Sequence, residues 1–158
     1  GETLQADLVL SAIGLKPKTD LAHAAGLSIR GGIIVDRTLA TSDPSIHALG
    51  DCAEVDGRVL PFVMPIMHAA RALAATLAGK PTPVAYPAMP VLVKTPACPT
   101  IVAPPPPGAA GEWVVEHSAD GVKSLYRDRA GKLLGFALNG AATAERAKLA
   151  RELPAVLA

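Results

Sequence analysis

Four prolines crowd into the eleven residues "KPTPVAYPAMP", Lys80 to Pro90. Proline lacks a backbone N–H and fixes its own φ, so neither a helix interior nor a central strand runs through such a stretch. The texture differs on its two sides. Before it, apolar runs alternate with helical patterns; after it, strand-like runs follow one another across short turns. The sequence therefore predicts two units, residues 1–81 and 82–158, with a linker or domain crossing where the prolines begin. Half of the 158 residues are hydrophobic, which is material enough for packed cores.

The formal net charge of +1 produces no field that would favour nucleic acid or a membrane surface, and neither is expected as a partner. The basic residues of the last third (Lys123, Arg127, Arg129, Lys132, Arg146, Lys148 and Arg151) read as a solvated face. Cys52 and Cys98 form no C-x-x-C pair and have no His or Cys at ligand spacing, so neither a disulfide nor a metal site is expected. No run approaches the length of a membrane span, and free thiols suit a reducing compartment; the expected location is the cytoplasm. The four histidines, His23, His47, His68 and His117, are dispersed and read as surface or packing residues. Gly1 opens what reads as a turn feeding a strand, as in the back part of a longer protein.

Along the first unit, "ADLVLSAIG" (Ala6–Gly14) is a continuous apolar run of the kind found in strands buried on both faces. Thr19 is placed to cap a short helix that Gly26 would stop. Two short strands are expected around Gly31-Gly32, and another over Ile46–Leu49, ending at Gly50-Asp51. A helix follows from Ile66 to Ala78 with Pro65 as its first residue; it is apolar nearly all round and expected to be sandwiched in a core. In the second unit "VLVKT", "GEWVVEHS", "VKSLYRD" and "LLGFALNG" read as strands, "PPPPG" as a stiff turn, and Ala142–Leu153 as a closing helix. Trp113 reads as a core or interface anchor of this unit.

Chemistry concentrates at Gly50-Asp51. A glycine at a strand end leaves the backbone bare for a ligand, and an acid at the carboxyl edge of an α/β sheet stands where such sheets bind ligands. Its two oxygens suit a pair of hydroxyls on a polyol. Farther on, the start of the helix after "FVMP" offers free N–H groups and a partial positive charge, which favour an anion. Lys94 is unusual as a lysine inside an apolar strand.

The stretch "TSDPSIHALGD", Thr41 to Asp51, resembles the second flavin-binding motif of the FAD-dependent pyridine-nucleotide reductases. "SAIGLKP", Ser11 to Pro17, is similar to that family's A-x-G-x-x-P turn, carried here by Ala12, Gly14 and Pro17. Among the family's members, "LGDCAEVDG", "LPFVMP" and "VKTPACP" look most like those of the rubredoxin–NAD reductases. The resemblance spans nearly the whole chain. It implies an α/β to α+β architecture. Residues 1–81 would be the C-terminal part of a Rossmann-like FAD domain, with the chain crossing in from the NADH domain over residues 1–14. Residues 82–158 would be a small three- to four-stranded antiparallel sheet with a terminal helix.

It further implies that Asp51 binds the ribityl chain of FAD, beside Gly50 and Gly14. Val63, Met64 and Pro65 would face the pyrimidine edge of the flavin mainly through backbone, and Lys94 would place a cation near it. FAD would be the cofactor and NADH a substrate bound by the missing domain. The acceptor would be rubredoxin or a similar small acidic electron carrier. No catalytic acid, base or nucleophile is visible, and this chemistry needs none. No G-x-G-x-x-G loop is present, so the chain alone is expected to bind FAD poorly and to be inactive without its front half. Alternatives are the same scaffold serving ferredoxin, nitrite reductase or oxygen, and a non-catalytic dimerisation or docking module.

Overall fold

The computed structural model describes residues 2–158 and divides into two compact units, residues 1–83 and Val84–Ala158. In the first, helix α1 (Asp20–Ala24) is followed by β1 (Ile33–Val35), β2 (Ala53–Val55) and helix α2 (Val63–Leu77). β1 and β2 pair in parallel, with Ile33 opposite Ala53 and Val35 opposite Val55. Val35, Leu39, Ala53 and Val55 are buried.

Several expected elements of this unit take another form. The run Ala6–Gly14 forms no strand, and Leu8, Val9, Leu10 and Ile13 are each more than four-fifths exposed. A doubly buried strand exists only between hydrogen-bonded neighbours and under helices on both faces. None of the described residues supplies that setting. For the same reason Ile46–Leu49 makes only an isolated bridge, His47 to Ala40, and the nearby strand lies beyond Asp51, as β2. Around Gly31-Gly32 the first expected strand reduces to a bridge between Ile29 and Ile33. Thr19 occupies the position before α1 without a side-chain cap, while Gly26 ends the helix at φ +76°.

Helix α2 begins earlier than expected, so Pro65 is its third residue and not its first. It still lies in the first turn, where no N–H has an intrahelical acceptor. Only Pro65, Ala69 and Ala72 of this helix are buried, whereas Val63, Met64, Met67 and Leu77 are exposed. The helix is therefore not enclosed as its composition suggested; its small residues form the packed side.

The second unit is a five-stranded antiparallel sheet in the order β3-β4-β7-β6-β5, built from β3 (Val91–Val93), β4 (Thr100–Ala103), β5 (Glu112–Ser118), β6 (Gly121–Arg127) and β7 (Leu133–Asn139). Four of these strands were legible, and β4 was not: "TIVA" is short and sits between proline clusters. Register places Ile101 opposite Leu138, and Ala103 and Leu125 opposite Phe136. These side chains, with Leu133 and Leu149, form one buried cluster, and Phe136 and Leu138 are fully enclosed. The closing helix is α3 (Arg146–Glu152), preceded by a 3-10 segment, Gly140–Glu145. Lys123 ties that segment to the sheet through Glu116 at 2.8 Å and Glu145 at 3.4 Å. The proline-rich stretch is not a free linker. Val84, Tyr86 and Met89 are buried, and Tyr86 exchanges both backbone hydrogen bonds with Leu157.

Candidate functional site

Asp51 lies in a tight turn that joins the exposed stretch before it to β2. Gly50 takes φ +89°, a left-handed conformation that any side chain would strain, and the turn closes with Ala53 N–H donating to the Gly50 carbonyl at 3.0 Å. Asp51 is exposed and lines an open cleft of about 450 Å³ together with Leu15, Lys16, Pro17, Lys18, Cys52, Pro61 and Ile66. Gly14, just before Leu15, has φ +108°. The two sequence landmarks thus share one cleft: residues 15–18, which follow Gly14, and residues 51–52, which follow Gly50, line it, while neither glycine does. Pro61, before α2, and Ile66, its fourth residue, line it as well, whereas Val63, Met64 and Pro65 are not among its lining residues.

The helix start lies between Pro61 and Ile66 along the chain. Phe62 occupies the cap position and makes no side-chain cap hydrogen bond. Of the first three helical residues, Pro65 has no N–H and is buried, so Val63 and Met64 carry the free donors. Lys94 belongs to the second unit; it is exposed, lies one residue beyond β3, and does not line this cleft. Among the described residues no group of three His, Cys, Asp or Glu side chains is placed to hold a metal ion.

One functional group escaped the sequence reading. Glu54, three residues after Asp51, is only 3% exposed. Its Oε1 accepts from Arg30 Nε at 2.7 Å and from Arg30 Nη2, and its Oε2 accepts from the backbone N–H of Gly31 at 2.7 Å and of Gly32 at 3.1 Å. The hydrogen bonds from Arg30, outweighing the cost of burial, hold its carboxyl below the ordinary value of 4.5. The available signal was a pair of glycines after an arginine: adjacent free N–H groups ask for an anion.

Both units match known protein families. Residues 1–76 match the family model of pyridine nucleotide-disulphide oxidoreductases, and residues 83–153 match the rubredoxin binding C-terminal domain. The chain belongs to the pyridine nucleotide-disulphide oxidoreductases. It is 54% identical to a rubredoxin-NAD(+) reductase of Alcanivorax borkumensis over 99% of its own length and 41% of that protein's. It is 46% identical to a nitric oxide reductase FlRd-NAD(+) reductase of Aeromonas hydrophila, over 98% of this chain and 40% of the other. Its structure resembles a ferredoxin reductase from Rhodopseudomonas palustris with a TM-score of 0.79 at 30% identity, covering 99% of this chain and 41% of that one. The chain therefore spans about two-fifths of the length of these oxidoreductases. Among the described residues, no helix is long and apolar enough to cross a membrane.

Proposed function

We propose that this chain is the flavin-side C-terminal portion of a cytoplasmic FAD-dependent NADH:rubredoxin oxidoreductase. The observation that carries the reading is the cleft that Asp51 shares with residues 15–18, Pro61 and Ile66. The residues present fit an FAD lying there. An exposed carboxylate beside a bare glycine suits two hydroxyls of the ribityl chain. The apolar walls of Leu15, Pro17, Pro61 and Ile66 suit a flat, partly apolar ring, and an uncapped helix start suits its electron-rich edge.

When bound, FAD supplies hydride acceptance from NADH and release of single electrons to the iron of the acceptor. The chain's own residues do the rest. Asp51 accepts hydrogen bonds from the ribityl hydroxyls and fixes the cofactor's position along the cleft. The Val63 and Met64 N–H groups, at the positive end of α2, stabilise negative charge that develops on the pyrimidine edge.

The domain description that matches residues 83–153, and the 54%-identical relative, support rubredoxin as the acceptor. A related acceptor, of the kind the 46%-identical relative's name states, is the second reading. The test is steady-state NADH oxidation by the flavin-loaded full-length protein with rubredoxin, ferredoxin or oxygen as sole acceptor. Rubredoxin should be preferred by at least about tenfold in kcat/KM, a difference of roughly 1.4 kcal/mol in transition-state stabilisation. Equal rates with all acceptors would sink the assignment.

A further inference from the structure

We propose that Glu54 is a positioning residue for Asp51, acting through the Arg30–Gly32 segment that its carboxylate grips. The inference deepens the reading of Asp51 as a flavin ligand and rests on it. Asp51 stands exposed, with no packed side chain to hold it. Its backbone is held by the Ala53–Gly50 hydrogen bond that closes the turn and, on the side of β1, by the next residue. The Cys52 carbonyl accepts the Ile33 N–H at 2.7 Å, and Gly32 lies so close that a Cβ there would stand 2.7 Å from the same oxygen.

Gly32 and Ile33 can meet Cys52 only if the turn before β1 is held flat against β2. Glu54 does this from beneath. It satisfies the Gly31 and Gly32 N–H groups with one oxygen and the Arg30 guanidinium with the other. Arg30 is itself largely exposed, with 68% of its side chain open to solvent. A buried carboxylate thus fixes both strands at the point where one of them emerges from the Asp51 turn. Hydrogen bonds to an ionised group are about twice as strong as neutral ones, and a buried charge stripped of them is costly. The hold is therefore stiff where the cofactor needs a fixed acceptor.

Glu54→Gln keeps the size, removes the charge and sets an amide against one pair of donors. In the reconstituted full-length holoenzyme it should raise the FAD dissociation constant about tenfold, the worth of one charge-assisted hydrogen bond, as read by flavin fluorescence. Asp51→Ala separates positioning from mere folding. In that background Glu54→Gln should change FAD affinity less than twofold, because the group it positions is gone. An equal factor in both backgrounds, or no effect beside intact Asp51, overturns the proposal while the flavin reading stands. Should Asp51→Ala itself leave FAD affinity unchanged, both fall. Gly32→Ala, which drives a methyl at the Cys52 carbonyl, carries the same cycle if Glu54→Gln does not fold; coupling to Asp51 supports the proposal and additivity overturns it.

Discussion

Glu54 links acid stability to the geometry of the first unit. Its carboxyl titrates below the ordinary value of 4.5 because Arg30 and two backbone N–H groups favour the charged form. A depressed carboxyl contributes stability that is fully present above its unfolded value. That contribution is lost as pH falls through the lower folded value. Urea unfolding of the full chain should therefore show wild type losing stability from about pH 5 downward, with Glu54→Gln showing a shallower slope and converging on wild type in acid. Parallel slopes would remove Glu54 as a source of acid sensitivity. At this level the sequence disclosed the candidate residues whose chemistry is local. Gly14, Gly50, Asp51 and Pro17 are visible because their chemistry is local: a bare backbone, a turn, a carboxylate. Glu54 was hidden because its meaning depends on Arg30–Gly32, more than twenty residues away along the chain.

Strands and helices were legible in proportion to how local their partners are. The β5–β6 and β6–β7 hairpins follow from neighbouring sequence, with Asp128 Oδ1 accepting the Ala130 and Lys132 N–H groups to close the second turn. Ala6–Gly14 has the composition of a doubly buried strand, yet composition supplies no neighbours, and the segment forms no strand and lies exposed. Helix α2 was mis-started because Pro65 was placed at the first position; a proline is tolerated anywhere in the first turn. Phe136 is the test of the second unit's core, being fully buried between β4 and β6. Phe136→Ala should cost about 3–5 kcal/mol, the usual loss for a buried phenylalanine. The unfolding can be followed by the fluorescence of Trp113, the single tryptophan, which stacks edge-on against Tyr126 at 5.2 Å. A loss below about 1 kcal/mol would mean that this core collapses to fill the space.

The chain as a whole consists of two compact units, the first matching the pyridine nucleotide-disulphide oxidoreductases and the second the rubredoxin binding C-terminal domain. Two of the basic residues of the last third, which read as a solvated face, are tied to neighbouring groups. Lys123 is committed to Glu116 and Glu145, and Arg127 donates to the Gly131 carbonyl at 2.8 Å. The account holds that this chain contributes the ribityl contact while the grip on the rest of FAD lies in sequence it does not contain, since it has no G-x-G-x-x-G loop. The most direct measurement is the absorption spectrum of FAD titrated with this chain alone. The matching titration uses the chain joined to the part of its 54%-identical relative that this chain does not cover. The account predicts an unchanged free-flavin spectrum with the chain alone and shifted, protein-bound bands with the chimera, bands that Asp51→Ala weakens. A shifted spectrum that survives dialysis with the chain alone, or a chimera indifferent to Asp51→Ala, would contradict it.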